Sequence, residues 1–93
     1  MTTKDILNWL LAELDETTFT FYGDEVEPKV EVFDTRTGHI VKIKGPGGRF
    51  SIGIGKHGIM ISESPASNAE WVDQVEKVIK RVDKRVNAGG FIF

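Results

Sequence analysis

The residues of this chain that could do chemistry are few and scattered. Its two histidines, His39 and His57, lie far apart, and there is no cysteine. Neither a disulfide nor a thiolate zinc site can form, and two lone histidines do not make metal-ligand spacing. Ser51, Ser62 and Ser64 have no histidine and carboxylate in a triad-like order. Asp24, Glu25 and Glu27 fall in a polar stretch that reads as an acidic turn, where water keeps carboxylates ordinary. The string Gly53-Ile54-Gly55-Lys56-His57-Gly58 matches the three-glycine pattern of dinucleotide sites. That chemistry needs a helix opening at the last glycine, so that its N-terminus meets the pyrophosphate. Here Ile59-Met60-Ile61-Ser62 follows, which has the β-branched character of a strand. The expectation is therefore no cofactor, no metal, no catalytic residues and no enzyme. His39 is expected as a half-buried structural histidine at the edge of the core.

The same stretch, Ile54-Gly55-Lys56-His57-Gly58-Ile59-Met60-Ile61, resembles over eight residues the Ile-Gly-x-x-Gly-x-x-Ile signature of the KH family of RNA-binding domains. The resemblance implies a loop between two helices that clamps a nucleic-acid backbone, with Lys56 and His57 at its variable positions. The flanking Arg49-Phe50-Ser51-Ile52 departs from that pattern, because it alternates as a strand does. From the residues themselves, a hairpin tip with two basic side chains is expected.

Two further candidates are surfaces. Lys77, Lys80, Arg81, Lys84 and Arg85 crowd one helical stretch opposed by Asp83 alone. They could meet phosphates, or they could complement the negative end of their own helix. The other surface follows from strand register, which places Phe33, Ile40, Gly53 and Met60 in one apolar row on the sheet face opposite the core. Such a row meets another protein, meets a second copy of the chain, or lies under the apolar tail Phe91-Ile92-Phe93. Trp9, off the centre of its helix's apolar stripe, would add an aromatic anchor if exposed.

The elements that must position these residues are legible from periodicity. Ile6, Leu7, Leu10, Leu11 and Leu14 repeat at helical spacing, with Thr2 or Thr3 as cap. Thr17 to Tyr22 alternates aromatic and hydroxyl residues as a strand. Strands are also expected over 29–33, 39–44, 49–54 and 59–62, with turns at 34–38, 45–48 and 55–58. Pairing through those turns sets Val32 against Val41, Val30 against Ile43, Ile43 against Phe50, Val41 against Ile52, Ile54 against Ile59 and Ile52 against Ile61. Nine apolar residues then share one face, and Glu31 opposes Lys42 on the other. A capping box at Ser67-Asn68-Ala69-Glu70 opens a long helix that runs to about Asn87, with the stripe Trp71, Val72, Val75, Val78, Ile79, Val82 and Val86. Ala88-Gly89-Gly90 ends it.

The predicted fold is α+β over one domain, residues 1–93: a five-stranded antiparallel meander with the N-terminal and the long C-terminal helix packed on one face. Its order is α-β-β-β-β-β-α, with the last three residues available for a short terminal strand. A chain of 93 residues with 40% hydrophobic and 28% charged residues can bury one core. No apolar run reaches the ~18 positions of a membrane span, and the start lacks a signal-peptide pattern, so a cytoplasmic, soluble protein is expected. The net charge of −2 hides an asymmetry: residues 1–31 hold two basic and eight acidic side chains, and the remainder ten and six.

By elimination, the expected function is a non-enzymatic protein-protein interaction module: a small inhibitor, adaptor or accessory subunit, with a second copy as one partner. Its candidate residues are Trp9, Phe33, Ile40 and Met60. The alternative is a nucleic-acid-binding domain using Arg49, Lys56, His57, Lys77, Lys80, Arg81 and Lys84 as phosphate contacts.

Overall fold

A computed structural model describes residues 2–56 and 58–88. Helix α1 (Thr3–Glu16) is followed by β1 (Phe19–Phe21), β2 (Asp24–Val26), β3 (Lys29–Asp34), β4 (His39–Gly45), β5 (Gly48–Gly55), β6 (Gly58–Glu63) and helix α2 (Ala69–Ala88). The class is α+β with antiparallel sheets and two flanking helices, but the single five-stranded sheet is corrected. The strands form a two-stranded sheet, β1-β2, and a four-stranded sheet in the order β3-β4-β5-β6.

The reason for the split lies in the stretch read as an acidic turn. Tyr22 (φ 52°) and Gly23 (φ 84°) both take positive φ, the backbone requirement of a two-residue hairpin turn that matches strand twist. Asp24-Glu25-Val26 therefore returns along β1, with Phe19 opposite Val26. Pro28, which lacks an N–H, then interrupts the ladder before β3 begins.

The outer edge of β1 is closed by a side chain instead of a strand. Gln74 of α2 accepts from the Thr20 N–H at 2.8 Å and donates to the Thr20 carbonyl at 2.7 Å, supplying the two bonds a neighbouring strand would make. Gln74→Ala is expected to destabilise the fold by about 1–3 kcal/mol, because both groups are part-buried and lose their partner. Urea unfolding at an unchanged slope would check this.

In the four-stranded sheet the expected register holds at each of the six pairs, and Gly45–Gly48 tightens from a four-residue turn to a paired Gly45 and Gly48. On the inner face Val41, Ile43, Phe50, Ile52 and Ile54 are buried in one cluster with Ile6, Leu7, Leu10 and Leu14 of α1 and the apolar stripe of α2. Inner-face residues of the edge strands are less well covered, with Val32 41% and Ile61 37% exposed.

Thr2 caps α1 through a reciprocal capping box with Asp5. The cap of α2 is Asn68 rather than Ser67: its Oδ1 accepts from the N–H groups of Glu70 and Trp71 at 2.9 and 3.2 Å. Trp71, fully buried, lies against the ring of Phe19 at a centroid distance of 5.4 Å. It fills the space over the β4–β5 turn, where a Cβ on Gly45 or Gly47 would come within 2.0 or 2.2 Å of it. The terminal strand and the apolar tail expected at Phe91-Ile92-Phe93 lie outside the described residues, as does His57. Among the described residues, no helix is long and apolar enough to cross a membrane.

Candidate functional site: the outer face of the four-stranded sheet

Strand alternation puts one set of side chains on the face opposite the core, and the pairing orders that set into rows. The first row is Phe33, Ile40, Gly53 and Met60, each the cross-strand neighbour of the next. Phe33 is 45% and Met60 75% exposed, and Ile40 is half-buried between them. The second row is Glu31, Lys42, Ser51 and Ser62, and the third begins Lys29, Lys44, Arg49. The outer face thus carries an apolar strip at one end and four cations against one carboxylate beside it.

Glu31 opposes Lys42 in register as expected, but its ion pair runs diagonally: Lys44 Nζ lies 3.2 Å from Glu31 Oε1. Lys42 instead places its ammonium 5.3 Å from the centre of the Phe33 ring, an attraction to the ring's negative face. The hydrogen bond and charge of Lys44, with smaller help from Lys29 and Lys42, hold the Glu31 carboxyl below the usual carboxylate range. A lowered pKa means that the pair stabilises the fold at neutral pH and that this contribution is lost as pH falls through the folded-state value. In Lys44→Met the Glu31 titration midpoint is expected to move up toward its ordinary value, as read by carboxyl-carbon chemical shifts.

Between Ile40 and Met60 the row opens into a groove of about 360 Å³. Its floor is β5, where the outward positions Gly53 and Gly55 bear no side chain. A Cβ at Gly53 would meet only the Met60 carbonyl oxygen, at 4.0 Å, and one at Gly55 would meet nothing within 4 Å. Neither residue has a left-handed φ. Gly45 and Gly47, pressed against Trp71, are required by packing, whereas nothing inside the described fold requires Gly53. Glycine inside a strand costs about 0.5–1 kcal/mol relative to alanine and often marks close approach by another chain or ligand. Thr35, Thr37, His39 and Lys56 stand around the groove. His39 is held there by Asp34, whose Oδ1 lies 2.9 Å from its Nδ1, with the histidine side chain only 13% exposed.

The structure gathers Phe33, Ile40 and Met60 but not Trp9. Trp9 packs on the edge of the helical core, and the Arg85 guanidinium covers its ring at 4.3 Å. The basic residues of α2 are also largely engaged. Lys77 pairs with Asp73 at 3.0 Å, and Arg81 with Glu13 at 2.9 Å and the Thr17 hydroxyl at 3.0 Å. Lys80 and Lys84 are exposed. Arg49 lies on the outer sheet face and Lys56 at the groove, away from α2, whose apolar stripe is buried with the inner face. Among the described residues of the nucleic-acid reading, Arg49 thus lies on the sheet face opposite the one that packs against α2. The helix-loop-helix context implied by the KH resemblance is corrected too, since Gly55 and Gly58 pair within a β-hairpin. The same pairing removes the dinucleotide context.

Sequence reasoning missed Lys29, Lys42 and Lys44 as neighbours of the apolar row, and Gly53 and Gly55 as its opening. The same alternation that located Phe33 and Met60 would have found them. Among the described residues, no group of three or more histidines or carboxylates has metal-binding geometry. No protein-family model matches the chain, and no curated protein or solved structure matches it at a significant level.

Proposed function

We propose that the chain is a non-enzymatic protein-interaction module, an adaptor, inhibitor or accessory subunit, that docks its partner on the outer face of the four-stranded sheet. The observation that carries this reading is the apolar row Phe33-Ile40-Gly53-Met60, which crosses all four strands and is exposed at its two ends, Phe33 and Met60. Exposed contiguous apolar surface rimmed by polar residues marks interaction sites. The cations Lys29, Lys42, Lys44 and Arg49 beside it favour a partner with acidic residues around a bulky apolar side chain. A cytoplasmic setting fits this role.

The test begins with solution mass by light-scattering chromatography over a concentration series, for wild type and Met60→Glu. A dimer that Met60→Glu splits would make the partner a second copy. A monomer in both, with a photo-crosslinker at Phe33 capturing an acid-rich protein that Met60→Glu no longer captures, supports a foreign partner. No association by either route overturns the reading. The nucleic-acid alternative draws support from Arg49, Lys56, Lys80 and Lys84, all exposed. It requires single-strand binding that weakens steeply with salt and is lost on charge reversal at Arg49 and Lys56.

A further inference from the structure

We propose a second docking site, independent of the outer sheet face: the groove between α1, the β1-β2 hairpin and the start of β3, which takes a cationic, apolar segment of a partner protein. The groove encloses about 590 Å³, within the ~300–1,000 Å³ of ordinary binding clefts. It exists because the sheet is split. Had β1 and β2 continued the meander, β3 would have had a strand along its free edge, and no gap would separate them from α1.

Leu11, Val26 and Val30 form an apolar floor; each is only partly buried and packs against the core from outside. Asp15, Glu25 and Glu27 stand along the same groove. Among the described residues no cation lies within ion-pair distance of any of the three, although Glu13 and Glu31, nearby in the chain, each have one. No basic side chain among the described residues lines the groove. The three exposed carboxylates around the apolar floor give the groove a negative rim that attracts an incoming cation. A Lys or Arg beside a Leu or Phe satisfies both features at once, with the stem covering the floor and the charge reaching the rim. Nucleic acid is repelled by the same charges.

The consequence is a bridging molecule. The outer face, cationic and apolar, and this groove, anionic and apolar, present opposite charges for two different partners.

The experiment is selection of a random dodecapeptide phage library on the immobilised full chain, followed by fluorescence anisotropy with the selected peptide. The expected consensus pairs Lys or Arg with a bulky apolar residue. The expected affinity for Glu25→Lys/Glu27→Lys is about tenfold or more below wild type. The control Glu16→Lys/Asp24→Lys makes the same change of net charge at exposed positions that do not line the groove, and it is expected to bind within about twofold of wild type. Circular dichroism on both pairs checks that they fold. Failure to enrich any peptide, an acid-rich consensus, or equal losses in the two charge-reversal pairs would each overturn the proposal. A peptide whose apolar residues can be replaced by Ser without loss would do so too, since the floor would then play no part.

Discussion

Trp71→Ala is expected to be the most damaging single substitution in the chain, costing about 3–5 kcal/mol by the measure of buried aromatic truncations. The indole is fully buried, contacts Phe19 of the small sheet and occupies the space over the β4–β5 turn that Gly45 and Gly47 leave open. It therefore helps tie together α2, the hairpin and the four-stranded sheet. Against a total stability on the order of 5–15 kcal/mol, the loss would lower the melting temperature by well over ten degrees. Thermal unfolding followed by circular dichroism would measure it. A drop of only a few degrees would mean that the turn and the hairpin hold their places without the indole.

Gly53→Val is expected to separate stability from binding. The backbone there is ordinary for an L-residue and the space above it is open, so valine gains strand preference and should stabilise the chain by about 0.5–1 kcal/mol. The same side chain would stand in the groove between Ile40 and Met60. Association at the outer face, measured as dimer mass or crosslink yield, is therefore expected to fall by about tenfold or more. If the variant is less stable than wild type, the glycine serves the fold and the groove loses its rationale. If the variant is stable and associates as before, the partner does not enter the groove.

How much of this was legible in the residues divides along physical lines. The four-stranded meander could be read down to its pairs, because Val30, Val32, Val41, Ile43, Phe50, Ile52, Ile54, Ile59 and Ile61 fall at alternate positions of their strands and a slip of one residue would have buried Lys42 and exposed Val41. The hairpin could not, because Asp24-Glu25-Val26 has the composition of a turn. What makes it a strand is the positive φ of Tyr22, a conformation uncommon for an aromatic residue. The apolar row followed from register alone. Its cationic flank needed the rows laid side by side. The acidic groove had no sequence signal, since Asp15 and Glu27 come to line one groove only through the unforeseen hairpin. Engagement of Arg81 by Glu13 and of Arg85 by Trp9 depends on how α1 crosses α2, which periodicity does not specify.

The sheet order β3-β4-β5-β6 follows chain order without a crossover, and this bears on how the molecule assembles. Each pairing in the meander closes a loop of only a few residues, an inexpensive step for a disordered chain. The ties between the two ends are of another kind: Thr20 to Gln74 spans 54 positions, Thr17 to Arg81 spans 64 and Glu13 to Arg81 spans 68. Local pairings come early and distant ones late when contact separation governs the rate. The meander is then the nucleus on which both helices close. During synthesis its inner face, with α1 alone available to pack on it, would wait incompletely covered until α2, the last described element, has emerged.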